Sequence, residues 1–301
     1  DVYKRQKYIR QAIEGVLIQQ TDFQVELVIG DDFSDDGNLE IIKEYKNTDN
    51  ISINVLERTA GDSYWQERKK KGRLYNFTNI IDNCKGNYIA LLDGDDYWID
   101  PLKLQKQVDY LESNPFVEAC YTSAYVLNEN SGKKSIHEAN YPKLNHKEII
   151  SKGGGFFITA SLMYRNNKAT FPDFFYKAQG GDHALILMIS LNGAVHKLNE
   201  ITTVYRLHNE GIYSSLRDDR AKLNLRKLNT VELLLDFNKF SNMKNDSQIK
   251  RKVSSILRSI LSNGGIKLFL NKNLEYLKYL SLRDFLGFFK EAIGKKKLSS
   301  N

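Results

Sequence analysis

Disulfide cross-linking has no basis in this sequence, which holds two cysteines, Cys84 and Cys120, in 301 residues. Neither sits in a metal-ligand spacing, and both lie among apolar neighbours, so they read as buried structural thiols. No apolar run approaches the roughly 18 residues of a membrane span. No signal-peptide pattern is visible, and no internal repeat is found. These absences exclude a disulfide-stapled scaffold, a helical membrane span and a repeat array. What is present suits a globular chain with a substantial core: 41% apolar and 11% aromatic residues, at a length for one large domain plus an appendage.

Positive charge is scarce in the body and concentrated in the tail. Residues 217–301 hold 19 Lys and Arg against 8 Asp and Glu, a net +11, whereas residues 1–216 hold 25 against 29, a net −4. An acidic body of this kind does not read as a nucleic-acid binder. The domain expectation follows: a catalytic body over 7–216 and a basic helical region over 217–301. Residues 1–6, Asp-Val-Tyr-Lys-Arg-Gln, have one codon choice that matches a transposon end used in sequencing libraries. They are expected to be a translated adaptor, foreign to the fold.

Helical and extended patterns alternate from residue 7 onward. Tyr8, Ile9, Ala12, Ile13, Val16 and Leu17 repeat at helical spacing. Strands are expected at 25–29 and 51–56, with a helix carrying Leu39, Ile41, Ile42 and Tyr45 between them. The basic stretch Glu67–Arg73 precedes a helix with Phe77, Ile80 and Ile81. A buried strand at 88–92, of mostly parallel type, comes next. Asp100-Pro101 is expected to open an amphipathic helix. Residues 117–127 read as a strand, 128–147 as a loop or hairpin, 156–164 and 194–205 as strands, and 184–191 as a helix. Such alternation argues for an α/β sheet protein.

The strand at 88–92 ends abruptly in Asp93-Gly94-Asp95-Asp96. Three carboxylates at a strand's C-terminal end repel one another unless a cation stands among them, and ligands of open α/β sheets bind at that end. A divalent cation with a phosphorylated ligand accounts for the pattern. The bland reading is a solvated acidic turn.

Four segments in this order resemble the family 2 glycosyltransferases over about residues 7–215: Asp31-Asp32-Phe33-Ser34-Asp35-Asp36-Gly37, Leu92-Asp93-Gly94-Asp95-Asp96, Gly181-Asp182, and Tyr205-Arg206-Leu207-His208. The resemblance implies the GT-A fold, a doubly wound mixed α/β sheet. Here it would lack its first strand and nucleotide loop and carry a C-terminal helical segment. It implies that Asp32 accepts a hydrogen bond from the donor base and that Asp93 lies in the ribose and diphosphate site. Asp95, Asp96 and His208 would hold Mn²⁺ or Mg²⁺. Arg206 would serve phosphate, with Arg73 and Lys71 as further cations. Asp182 would be the catalytic base. The matching bland readings are a helix-capping turn at 31–37, an N-cap at Asp182, a structural His208 and a solvated basic face at 68–73. Trp98 reads as core.

The implied activity is inverting transfer of a sugar from a nucleoside diphosphate sugar, UDP-linked by resemblance, to a hydroxyl of a glycan or lipid-linked glycan. Bacterial surface polysaccharide synthesis is the implied setting, and the cytoplasm the implied compartment. Rival readings are a metal-dependent nucleotidyltransferase and a non-catalytic sugar-nucleotide-binding protein. The tail has two readings as well. Its apolar positions Val253, Ile256, Leu257, Ile260 and Leu261, with the aromatic and lysine-rich stretch 285–297, suit peripheral contact with an anionic membrane face. They suit an ordinary packed helical region equally.

Overall fold

The computed structural model describes residues 2–138, 141–168, 170–208, 219–264, 274–281 and 284. The chain divides into two units, Asp1–Asn209 and Glu210–Asn301.

In the first unit, helix α1 (Val2–Leu17) buries Tyr8, Ala12, Ile13 and Val16 on one face. It is longer at its start than the periodicity predicted. Strands β1 (Val25–Ile29) and β2 (Ile51–Val55) pair in parallel, with Val25 opposite Ile51. Helix α2 (Asn38–Glu44) connects them and buries Ile41 and Ile42. Helices α3 (Ser63–Lys71) and α4 (Leu74–Asn83) follow. The basic stretch is therefore itself helical, started by Asp62, whose side chain accepts a hydrogen bond from the Trp65 amide.

The remaining strands are β3 (Tyr88–Ala90), β4 (Tyr97–Trp98), β5 (Val117–Asn128), β6 (Lys134–His137), β7 (Lys143–Leu144), β8 (Met163–Arg165) and β9 (Ala194–Leu207). They form a second sheet in the order β3-β8-β5-β9-β4, with β6 beside β5 and β7 beside β9. Only the β5–β9 ladder in it is parallel. The expectation of a mixed α/β architecture holds, but the described residues divide it into two sheets. Strand β3 pairs antiparallel with β8, not within a parallel set. The apolar stretch 156–164 makes two 3₁₀ turns (Gly154–Phe156 and Thr159–Ser161) before β8. Its Phe156, Phe157, Ala160 and Leu162 are buried all the same. Helix α5 (Lys103–Glu112) starts later than Asp100-Pro101 predicted, and Asp100 Oδ1 instead accepts from the Leu102 amide, 2.9 Å away. Residues 128–147 contain the β5–β6 hairpin. Helices α6 (His146–Lys152), α7 (Asp173–Lys177) and α8 (Gly181–Ile189) complete this unit.

Helix α1 lies directly on β4. A Cβ at Gly15 would stand 2.8 Å from the Trp98 amide nitrogen and 2.9 Å from its carbonyl oxygen. Backbone cannot yield as a side chain can. Gly15→Ala is therefore expected to lower stability by about 1–3 kcal/mol, although alanine is the better helix former by about 1 kcal/mol. Urea unfolding measures this, and a raised midpoint would mean that the helix packs less closely.

Beneath that contact Lys103 is fully buried. Its ammonium donates to Gln107 Oε1 at 2.6 Å and stands 4.2 Å from the Trp98 ring centre. Burial pulls its pKa down from 10.5 to about 7. Between those values the unfolded chain binds the proton and the folded chain releases it, so stability rises with pH across the window and falls as pH drops toward 7. The climb between pH 7 and 9 is expected to reach roughly 2 kcal/mol in urea titrations and to vanish in Lys103→Met. Equal slopes in the two proteins would refute it.

The second unit pairs α9 (Arg220–Phe240) with α10 (Asp246–Ser262). Leu228, Val231, Leu234 and Phe237 of α9 are buried, as are Ile249, Val253, Leu257 and Ile260 of α10. Lys227 Nζ bonds Ser259 Oγ at 2.7 Å and Asn238 bonds Asp246 at 2.8 Å, which sets the helices antiparallel. Val253, Leu257 and Ile260 of the tail positions are thus spent on packing. The stretch 285–297 lies outside the described residues. Among the described residues no helix is long and apolar enough to cross a membrane.

Candidate functional site

The acidic run forms a turn between β3 and β4, closed by the Asp96 amide on the Asp93 carbonyl at 3.0 Å. Asp96 is buried: its Oδ1 accepts from the Arg206 amide at 2.9 Å, and its Oδ2 has no hydrogen-bond partner. Asp95 Oδ2 lies 3.0 Å from His208 Nε2. Asp93 is exposed to solvent, and partial desolvation in the turn, with Asp95 and then Asp182 nearby, pushes its pKa up. Burial also pushes Asp96 well up, aided by Asp93 and Asp95. The field of Asp182 at Asp93 brings the turn and the start of α8 into one neighbourhood. Asp93, Asp95 and Asp96 thus share one turn, His208 meets Asp95, and Asp182 lies within electrostatic reach of Asp93.

Arg206 is positioned differently from the expectation. Its guanidinium is buried, donates to the Asp95 carbonyl and to Gln11 Oε1, and pairs with Glu129 Oε1 at 3.4 Å. It stands 4.3 Å from the Tyr97 ring centre and 4.8 Å from that of Tyr8. Tyr8 in turn donates to Glu129 and packs on His208, with ring centroids 5.3 Å apart. Arg206 thus braces the acidic turn from inside. Gln11, Tyr8 and Glu129 were missed, because their only signal is three-dimensional.

Asp182 occupies the first turn of α8, after Gly180 as N-cap, so it is not the cap itself. Its surroundings leave little room. A Cβ at Gly154 would stand 2.6 Å from the Cβ of the adjoining His183, and one at Gly180 would stand 2.6 Å from Asp182 Oδ1. Leu74 and Phe77 of α4 crowd Gly181. Arg73 donates to the Gln179 carbonyl, just before this segment.

Asp32 is held by two residues of α3. Arg68 Nε lies 3.0 and 2.8 Å from its two oxygens, and Tyr64 donates its hydroxyl to Oδ1 at 2.8 Å. Arg58 lies 3.8 Å from the Tyr64 ring centre and donates to the Asp31 carbonyl at 2.7 Å. Asp31 Oδ2 accepts the Ser34 amide at 2.9 Å, closing its own turn. Phe33, between them, takes a φ of 62°. That left-handed conformation is costly for a bulky side chain and gathers at functional loops. Arg68, read from sequence as solvated, is thus the partner of Asp32, 36 residues away.

A family model, Glycosyl transferase family 2, matches residues 1–169. An uncharacterized protein of Mycobacterium tuberculosis is 33% identical over 225 residues, covering 73% of this chain. This chain spans 61% of that relative's length. An uncharacterized glycosyltransferase of Methanocaldococcus jannaschii is 27% identical over 144 residues, covering 48% of this chain and 45% of its own. Among solved structures, S. aureus TarS residues 1–349 in complex with UDP-GlcNAc superposes with a TM-score of 0.57 at 17% identity, over 93% of this chain and 80% of that one. That likeness carries the fold, the mixed α/β GT-A architecture. With the family model over more than half its length, the chain belongs to glycosyl transferase family 2.

Proposed function

We propose that this chain transfers a sugar from a nucleoside diphosphate sugar to a hydroxyl of a glycan or lipid-linked glycan, with inversion at the anomeric carbon. What supports the reading is the acidic turn itself, with the buried Asp96 Oδ2 left without a hydrogen-bond partner and Asp95 against His208, and with Asp182 within electrostatic reach of Asp93. In the reaction, Asp182 takes the proton of the acceptor hydroxyl as that oxygen bonds to the anomeric carbon. The bond from that carbon to the diphosphate oxygen breaks, and its electron pair leaves with the nucleoside diphosphate. A single displacement needs no enzyme nucleophile. Asp32 meets the base, expected to be uracil, with Arg68 and Tyr64 fixing its carboxylate. Asp93 lies toward the ribose and diphosphate, and Arg73, at the head of α4, is a further phosphate candidate that also donates to the Gln179 carbonyl ahead of Asp182. Arg206 positions the turn.

Among the described residues no three metal-ligating side chains already converge. The donors nonetheless fit a hard divalent cation: the unpartnered Asp96 Oδ2, the Asp95 carboxylate and the His208 imidazole. When bound there, Mn²⁺ or Mg²⁺ supplies positive charge against the leaving diphosphate. The setting that fits best is surface polysaccharide synthesis at the cytoplasmic side, with residues 285–301 as the candidate membrane contact.

Titration calorimetry with UDP, CDP and GDP tests the donor reading. UDP is expected to bind most tightly, and Asp32→Ala to weaken it about tenfold, the loss of one charged hydrogen bond. Equal affinity for the three, unchanged by the substitution, would refute base reading at Asp32. Release of nucleoside diphosphate, and not of pyrophosphate, from a donor mixture separates sugar transfer from nucleotidyl transfer.

A further inference from the structure

Four consecutive cations, Arg68 to Lys71, and Arg73 lie on α3 and at the head of α4, in a stretch whose sum over residues 1–216 is acidic. A merely solvated basic face would send these side chains into water. Here Arg68 grips Asp32, Lys69 Nζ lies 3.5 Å from the Trp65 ring centre, and Lys71 Nζ lies 5.1 Å from the Tyr75 ring centre and 5.0 Å from that of Tyr176. Lys71, which the sequence offered to the donor phosphate, is thus placed between two tyrosines. Glu67 is the acidic partner of both Lys70 and Lys71, at 3.9 and 3.0 Å. Exposed pairs of this kind are weak and open readily, and the charge of one glutamate does not balance three lysines.

The rings form a row. Phe33 and Tyr64 have centroids 6.0 Å apart, Tyr64 and Tyr75 5.4 Å, and Tyr75 and Tyr176 6.4 Å. Phe33 is exposed, Tyr75, Tyr176 and the nearby Trp65 are mostly buried with some surface in solvent, and Tyr64 between them is buried. The row starts at the Asp32 loop. It ends on α7, six residues before Asp182, where Arg73 also ties α4 to the Gln179 carbonyl. Partly exposed aromatic rings give apolar surface on which sugar rings lie, and ammonium groups held over such rings attract anions at little further ordering cost.

We infer that this row is an acceptor subsite and that the acceptor is an anionic glycan, bearing carboxylate or phosphodiester groups on units next to the one that receives the sugar. The inference rests on the reading of Asp182 as the base. Tyr75 and Tyr176 stack the acceptor rings, and Lys69 and Lys71 pair with its charges.

Binding of three probes to the full chain tests this: a galacturonic acid heptamer, a glycerol phosphate oligomer and neutral maltoheptaose, each at low and high salt, with UDP measured in parallel. At least one acidic probe is expected to bind tenfold or more tightly than maltoheptaose at low salt and to weaken as salt rises. The probe that binds better tells carboxylate from phosphodiester. Lys69→Gln with Lys71→Gln is expected to lower that affinity fivefold or more, and Tyr176→Ala to lower it without reducing its salt dependence. Maltoheptaose binding as tightly as both acidic probes, or acidic binding untouched by the lysine changes, overturns the inference. So does a lysine variant that loses UDP affinity and keeps acidic binding, since Lys71 would then serve the donor. Intact UDP binding beside absent acidic binding sinks this inference alone, and the reverse sinks the donor reading alone.

Discussion

Asp182→Asn is expected to lower kcat by roughly 10²–10⁴-fold, the range for loss of a positioned general base, and to leave UDP affinity within about twofold. The amide keeps the size and much of the hydrogen bonding of the carboxylate, so the helix start should persist. What it loses is the capacity to take a proton. The position itself depends on glycines. Because a Cβ at Gly154 would stand 2.6 Å from His183 Cβ, Gly154→Ala pushes on the residue adjoining Asp182 and is expected to lower kcat more than it raises the donor KM. Steady-state kinetics with isothermal UDP titration separate the roles. A variant at Asp182 that loses UDP binding and keeps kcat would reassign that carboxylate to the donor side.

Much of the architecture was legible because burial leaves a periodic trace. The strand at 25–29 stands where the apolar run put it, and α4 and α10 follow their 3.6-residue stripes. Strand direction leaves no such trace. An apolar run such as 88–92 reads the same whether its neighbour runs parallel or, as β8 does, antiparallel. The run 156–164 is buried as two tight turns and a short strand, and turns need burial as much as strands do. Helix α3 was missed because its last turn, Arg68 to Lys71, has no apolar stripe. Its anchoring comes from Tyr64 and from the distant Asp32.

The site shows the same division. Motif order singled out Asp32, the acidic turn, Asp182 and Arg206, because each lies near the end of a strand or the start of a helix. The direction of a side chain was beyond reach. Whether Arg206 faces phosphate or core is decided by Gln11, Glu129 and Tyr8, residues on α1 and at the end of β5 that carry no local mark. The same holds for Asp32, whose two partners sit on a helix that the sequence did not reveal.

Asp95→Asn is expected to abolish metal-dependent turnover and to change the metal-free melting temperature little. The Asp95 side chain is 43% exposed and meets the His208 imidazole, 3.0 Å away, so packing loses almost nothing. The cation loses a charged ligand. Turnover of the native chain that survives EDTA would refute a metal role. The carboxylate crowding provides a second readout. The folded-state pKa of Asp93 is raised above its ordinary 3.8, by less than full burial would give because solvent reaches the carboxyl. In the window between the two values the folded chain keeps a proton that the unfolded chain gives up, so metal-free stability falls as pH rises through it from about 4. A divalent cation on the neighbouring Asp95, Asp96 and His208 offsets the charge that Asp93 gains when that proton leaves, so its benefit is largest above the window. Saturating Mn²⁺ is therefore expected to stabilise the chain at pH 7.5 by about 2–3 kcal/mol at a hundred times its Kd, and by much less at pH 5. In Asp95→Asn the pH 7.5 gain should shrink toward the pH 5 value. Thermal melts with and without MnCl₂ at the two pH values measure it. An equal gain at both, or an unchanged gain in the variant, would place the cation away from this turn.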